Sequence, residues 1–306
     1  DNGVIIKFAY NLGAGLLRAI GNCFMPLVFL LLSAGLNILL DLLFIAKMGM
    51  GVQGAAVATV ISQGVSVLLC ILYVFAKVKL LLPEKKHFKV GQHLYWELFS
   101  QSICMGLMSS IVSAGSVVLQ YGINGLGTLV IAVHTAARMS FLFSYMPLLS
   151  RASAGSTFVS QNCGAGQPDR VRKGMKEICL YSVVVAVLAV LLMRAAAPWM
   201  VAFVSGSSEP VVLENGARYL LWNAPFYAVL GVLLSTRYAL QSLGNKVLPL
   251  FSSVIELVGK IIFVLLLIPK FAYNAVIVCE PIIWYFMAVY LVTVYLHDPF
   301  VFPKKK

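Results

Sequence analysis

Apolar residues run along this chain in blocks of about twenty or more, the length a helix needs to cross a bilayer core of ~30 Å. Short breaks of glycine, proline and charge separate them. The clearest blocks are Phe24–Ala46, Val52–Ala76, Ile178–Phe203, Tyr219–Leu240, Leu248–Ile268 and Ala275–Leu296. Leu98–Ser160 is long enough for two more, broken near Tyr121–Thr128, and Val4–Leu17 reads as the end of another. The pattern predicts eight full spans and one partial span. The alternating ~10-residue strands of a membrane barrel are not seen, so every span is expected to be helical. Gly49–Gly54, Gly122–Gly127 and Gly164–Pro168 are expected to be turns. Pro147, Pro225 and Pro281 fall inside spans and are expected to kink them.

One signature occurs twice. LLRAIGNCFMPL (Leu16–Leu27) and ALQSLGNKVLPL (Ala239–Leu250) coincide at Leu17/Leu240, Gly21/Gly244, Asn22/Asn245, Pro26/Pro249 and Leu27/Leu250, a constant offset of 223 residues. Each copy lies between two apolar blocks, so the chain is expected to contain two related bundles. Such duplication in membranes belongs mainly to transporters, with the substrate path between the halves. The polar stretch Lys77–His93 reads as the link between them. The expected organisation is residues 1–78 as the end of one lobe, 79–93 as the inter-lobe loop, 94–298 as the second lobe and 299–306 as a basic tail. Six spans follow the link and two and a fraction precede it. Repeat arithmetic therefore predicts roughly 130 residues ahead of Asp1. The expected fold is an all-α polytopic membrane protein of two six-helix bundles, related by a pseudo-two-fold axis, the first only partly within this chain.

Composition agrees with this. Of the 306 residues, 60% are apolar and 11% charged, against about a quarter charged in soluble domains. The net charge of +12 orients the chain and implies no nucleic acid. More than half of the 23 basic residues fall in alternate loops: Arg18, Lys77–Lys89, Arg170–Lys176, Lys246 and Lys304–Lys306. The opposite loops hold Lys47, Lys270, Glu209 and Glu214. This bias predicts a multi-pass protein of the plasma membrane with a cytoplasmic C-terminus. The six cysteines show no metal-ligand spacing and read as packing residues.

Several stretches together resemble the multidrug and toxic compound extrusion (MATE) family, in its DNA-damage-inducible and archaeal-like branch. They are YNLGAGLLRAIGNCFMP (Tyr10–Pro26), LNILLDLLFIAKMGMGVQGAAVATVISQ (Leu36–Gln63), INGLGTLVIAVHTAARM (Ile123–Met139), GSTFVSQNCGAGQPDRVRKG (Gly155–Gly174) and CEPIIW (Cys279–Trp284). The resemblance implies a cation-coupled exporter in which Na⁺ or H⁺ entry drives the exit of drugs or other organic, often cationic, compounds. It implies no cofactor, no enzymatic activity and a monomer in the lipid bilayer.

Asn37 and Asp41 are four residues apart and so share one helix face. A carboxylate inside a span is costly unless protonated, paired or cation-bound. Thr59 lies on the next, antiparallel helix. Carboxylate, amide and hydroxyl oxygens suit a proton or a small hard cation such as Na⁺; the alternative is that Asp41 caps a helix end while Asn37 and Thr59 bond backbone. In members of the resembling branch, Asn, Asp and Thr at these spacings join an aspartate of the first helix. At the repeat offset Asp41 and Asn37 become Val264 and Lys260, so coupling is expected to rest on the first lobe. Glu256 and Lys260 are expected to neutralise one another along one helix face. Glu280 either faces the central cavity or accepts bonds at the Pro281 kink. Arg138 is a cavity charge or its partner, and His134 a packed polar residue. Met139, Tyr145 and Tyr238 are candidate cavity-lining residues. Gly164–Gly166 with Arg170–Lys173 lacks Walker spacing and reads as a turn against anionic lipid. The rival readings are a lipid-linked oligosaccharide flippase of the same superfamily, with Arg138 and Arg151 as its candidate cavity arginines, and a non-functional fragment.

Overall fold

The computed structural model describes residues 2–82, 91–206 and 209–303. Lys85, Lys86, His87 and Lys89 of the expected loop, and Lys304–Lys306 of the expected tail, lie outside the described residues. Helices α1 (Asn2–Ala19), α2 (Phe24–Asp41) and α3 (Gly51–Lys77) come first. Then follow α4 (Gln92–Asn124), α5 (Thr128–Gly164), α6 (Pro168–Ser205), α7 (Pro210–Asn223), α8 (Tyr227–Ser242), α9 (Val247–Ile262), α10 (Ile268–Phe271) and α11 (Tyr273–Leu296). Among the described residues, eight stretches of helix are long and apolar enough to cross a membrane. The breaks fall near the positions the apolar blocks indicate, and Pro147 and Pro281 sit inside α5 and α11. Pro225 instead lies in a 3₁₀ turn, Ala224–Phe226, which joins α7 to α8 within one span. A fixed φ and a missing N–H suit that tighter turn.

The chain divides into two compact units, Asp1–Gln92 and His93–Lys306. In the first, α3 packs on both α1 and α2. The α1–α3 approach is close because Gly13 faces Cys70: a Cβ on Gly13 would lie 2.7 Å from the Cys70 sulfur. Serine hydroxyls join α2 to α3 in both directions. Ser33 donates to the Ser62 carbonyl at 2.9 Å and Ser66 to the Phe29 carbonyl at 2.8 Å. Between lipid-facing helices such small-residue contacts and interhelical bonds replace a hydrophobic driving force.

Beyond Asp41 the helix widens into a π-helical segment, Leu42–Lys47. Gly49 (φ +65°) and Gly51 (φ +56°) then reverse the chain. Gly54 lets α3 begin against that segment, since a Cβ there would lie 3.1 Å from the Phe44 Cβ and 3.0 Å from that of Met50. The spacing G-x-x-G-A-A thus has a steric origin.

The second unit holds six of the eight candidate spans. Its largest buried side chains include Tyr219, Tyr227, Leu148, Met193, Leu233 and Met287. Close approach of α5 and α6 rests on Gly155 against Ile178 and Gly174 against the Phe158 ring. The α5–α6 turn closes with Gly166 at φ +65° and the Gln167 N–H donating to the Asn162 carbonyl at 2.9 Å. Arg172 pairs with Asp169 and lies 5.7 Å from the centre of the Phe302 ring.

The repeated signature has the same backbone in both units. Gly21 and Gly244 have φ of +87° and +86°. Asn22 N–H donates to the Leu17 carbonyl at 2.9 Å and Asn245 N–H to the Leu240 carbonyl at 3.0 Å. Both asparagine side chains then reach toward the end of the third helix of their trio. Asn22 donates to the Tyr73 hydroxyl at 3.1 Å and Asn245 to Asp298 at 2.8 Å. Left-handed backbone after a helix favours glycine, and the 6→1 bond satisfies a terminal carbonyl. A π-helical segment follows the second helix in both units: Leu42–Lys47 in one, Phe263–Leu267 in the other.

Candidate functional site

In the first unit, Asn37 and Thr59 line a common cavity of about 310 Å³ with Lys7, Asn11, Ser33, Ser62, Gln63 and Ser66. Asp41 lies one turn beyond Asn37, outside that lining, where α2 gives way to the π-helical segment. Its Oδ1 is buried without a hydrogen-bond partner, as is the Asn37 amide nitrogen. Rotating the Asn37 amide exchanges its nitrogen and oxygen, so either can be presented. Thr59 donates to the Ala55 carbonyl of its own helix at 2.9 Å, which leaves its oxygen lone pairs available. The structure therefore gathers Asn37 and Thr59 into one cavity with Lys7, and leaves Asp41 outside its lining.

Lys7 was not among the residues singled out from the sequence. It is a basic residue lining the same cavity. Asp41 does not form a helix-capping bond through its side chain. A buried carboxylate oxygen without a donor is a high-energy arrangement, relieved by a proton or a cation.

In the second unit, charged side chains converge inside the span region. A cavity of about 190 Å³ is lined by Arg138, Arg237, Lys260, Glu256 and Glu280 together with Tyr145 and Trp284. Arg138 Nη1 donates to Glu280 Oε1 at 2.6 Å, and the buried Tyr219 hydroxyl donates to Oε2 at 2.9 Å. Glu280 itself is 5% exposed, so both of its oxygens are engaged away from bulk water. Glu280 thus lines this cavity and also accepts two hydrogen bonds, from Arg138 and Tyr219. Lys260, 3% exposed, donates to Glu256 at 2.8 Å along α9. Gly115 of α4 makes room for that lysine, since a Cβ there would lie 3.1 Å from the Lys260 Cδ.

An adjoining cavity of about 320 Å³ is lined by Arg138, Met139, His134, Lys260 and Glu280. His134 packs edge-on against Tyr219 and Tyr273, at 5.7 and 6.3 Å between ring centres. A third cavity, of about 380 Å³, is lined by Met105, Met108, Tyr145, Arg237, Tyr238 and Gln241 among others. Met139, Tyr145 and Tyr238 thus all line cavities, on three adjoining spaces rather than one. Arg151 is held elsewhere: it donates to the Ile178 carbonyl and, at 3.4 Å, to Ser235. Its partners are the backbone of α6 and a hydroxyl of α8.

Sequence reading missed Tyr219 and Arg237. Tyr219 is 61 residues from Glu280 and only the fold joins them. Arg237 had a visible signal, a charge within an apolar block, which by default marks a functional position.

The model of the family described as MatE matches residues 105–266 of this chain. A probable multidrug resistance protein of Bacillus subtilis (strain 168), YpnP, is 30% identical over 234 residues, covering 75% of this chain and 51% of that protein. An FAD transporter of Shewanella oneidensis is 27% identical over 271 residues, covering 85% of this chain and 57% of that protein. The chain spans about half the length of these curated relatives. A crystal structure of MATE in complex with MaL6 superposes with a TM-score of 0.84 at 21% identity, over 94% of this chain and 65% of that one. The fold is therefore shared with that structure. The family match runs from α4 into the π-helical segment after α9, more than half of the sequence, and the chain belongs to the MatE family of membrane transporters.

Proposed function

We propose that this chain belongs to a cation-coupled antiporter that exports small organic compounds by alternating access, with Na⁺ or H⁺ as the coupling ion. The observation that supports coupling is a pair of buried, unpartnered polar atoms on residues one helical turn apart, Asp41 Oδ1 and Asn37 Nδ2, with Asn37 lining a cavity shared with Thr59, Ser62 and Gln63. An incoming proton or cation relieves the deficit at Asp41 Oδ1, and the Asn37 amide, once flipped, presents its oxygen to a cation. The carboxylate sits where α2 becomes π-helical, a kind of local irregularity that is frequent at functional sites. Linkage then requires the cation and the exported compound to favour opposite conformations.

The second unit supplies the compound's surroundings: adjoining cavities of roughly 190–380 Å³, walled by methionine and aromatic side chains around intramembrane charges. The names of the relatives, a multidrug resistance protein and an FAD transporter, accord with organic cargo. Arg18, Lys77 and Lys246 sit at helix ends that alternate spans place on one side of their own unit, which we assign to the cytoplasm. In vesicles containing the protein expressed from its full gene, Asp41→Asn is expected to abolish norfloxacin or ethidium efflux driven by Na⁺ or pH gradients. Undiminished gradient-driven efflux refutes the coupling role.

A further inference from the structure

We propose that the cleft lined by α4, α5 and α8 binds an organic anion, a carboxylate or phosphate on an amphipathic compound, gripped by Arg237. The inference rests on the exporter reading only in taking the bound compound to be the cargo. Three cations, Arg138, Arg237 and Lys260, face two carboxylates, Glu256 and Glu280, around one cavity. Two of those cations are satisfied: Arg138 by Glu280 at 2.6 Å and Lys260 by Glu256 at 2.8 Å. Arg237 is the remainder. Its Nε and Nη2 are both buried and have no acceptor among the described residues.

Those two nitrogens share one edge of the guanidinium plane. That edge donates two parallel N–H bonds, the geometry that matches a carboxylate or phosphate. An arginine that merely snorkels would keep its head in water, whereas here both atoms of the gripping edge are shielded. A guanidinium held this way without an acceptor is costly in an apolar region; packed atoms cover this edge, and an anionic ligand that reaches it as the side chain turns into the cleft removes the cost.

The walls fit an amphipathic compound. Arg237 lines both the 380 Å³ and the 190 Å³ cavities, with Val112, Tyr145 and Leu234 common to the two. Met105 and Met108 offer adaptable apolar surface beside it, while Tyr238 and Gln241 offer polar groups. The resemblance read from the sequence implied cargo that is often cationic. The excess positive charge of this lobe argues for a negatively charged group instead, with the rest of the molecule against the methionine wall.

The test compares two dyes sharing a xanthene frame, anionic fluorescein and cationic rhodamine 6G, by fluorescence anisotropy with the purified full-length protein in neutral detergent. Fluorescein is expected to bind about tenfold or more tighter. Arg237→Gln is expected to weaken fluorescein about 10–100-fold, the loss of a charge-assisted pair, and to leave rhodamine 6G within about twofold. Arg237→Lys should fall between. Should Arg237→Gln not fold, judged by its thermal transition, Glu256→Gln decides: removing that competing carboxylate must tighten fluorescein. Rhodamine 6G binding as tightly as fluorescein, or fluorescein affinity indifferent to these variants, overturns the proposal.

Repeating the measurement in nanodiscs with and without phosphatidylglycerol separates two sources of the anion. Competition by that lipid assigns the Arg237 group to a lipid headgroup, and its absence assigns it to a soluble organic anion. Fluorescein bound through Arg237 but not exported from vesicles leaves this inference standing and defeats the exporter reading. Rhodamine 6G exported while fluorescein fails to bind does the reverse.

Discussion

Replacing Glu280 by glutamine perturbs the charge cluster at its most buried member without changing its shape. Glutamine has one carbonyl oxygen: turned toward Arg138 it still accepts there, but its NH2 then replaces the oxygen that accepts from the Tyr219 hydroxyl, so that bond must reverse, and neither contact is any longer made to a carboxylate. Bonds to charged groups contribute about 1.5–3 kcal/mol and neutral ones about 0.5–1.5, so the Arg138 contact alone weakens by ~1 kcal/mol. The guanidinium also loses its counter-charge. Breaking a fully buried pair costs about 3–5 kcal/mol, but the Arg138 side chain is 37% exposed toward its cavity and keeps part of its solvation. A discounted ~1–2 kcal/mol for that effect brings the total to about 2–3 kcal/mol. At roughly 2–4 °C per kcal/mol for a unit of this size, the thermal transition should fall by about 4–12 °C. The assay is intrinsic tryptophan fluorescence in detergent, since Trp284 lines the same cavity as Glu280. Arg138→Met alone should also destabilise, by stranding the carboxylate. The double variant should be more stable than the sum of the two losses implies, by at least ~1 kcal/mol. Strict additivity, or a Glu280→Gln protein as stable as the parent, refutes the pairing.

Two packing predictions test how the units are built. Gly13→Ala should destabilise by about 1–3 kcal/mol, because its methyl meets the Cys70 sulfur at 2.7 Å, and Cys70→Ala in the same chain should recover most of that loss in a thermal melt. Gly21→Ala and Gly244→Ala should each destabilise by roughly 1–2 kcal/mol from the left-handed backbone they impose on alanine; at Gly244 an added Cβ would meet no atom within 4 Å, so strain is the whole effect there.

Much of the fold is legible in the sequence because bilayer physics makes it so. Apolar length fixes the spans, and the recurrence of Gly21-Asn22 at Gly244-Asn245 marks two turns that share backbone geometry to within a degree in φ. The pair Glu256–Lys260 is readable from its i, i+4 spacing, because both partners lie on α9. Contacts between helices are not readable in this way. Which way a helix is rotated is set by its neighbours, and α5 has almost no amphipathic preference to announce its inward face: His134, Arg138 and Phe141 are mixed among apolar residues on all sides. Glu280 therefore remains ambiguous until α5, α7 and α11 are assembled around it. Arg237 is visible as a charge within an apolar block, but only the packed cleft shows that its Nε and Nη2 are buried without an acceptor. At Asp41 the spacing to Asn37 is readable, whereas the π-helical segment that begins at Leu42 and the place of Lys7 in the cavity lining are not.

The coupling role of Asp41 is tested most directly by measuring cation release when cargo binds. Protein loaded with ²²Na⁺, or held in weakly buffered solution with a pH indicator, is mixed with norfloxacin. The account predicts release of Na⁺ or protons from the native protein and none from Asp41→Asn, with norfloxacin still bound by both. Release of the same size from Asp41→Asn, or none from the native protein despite norfloxacin binding, contradicts it.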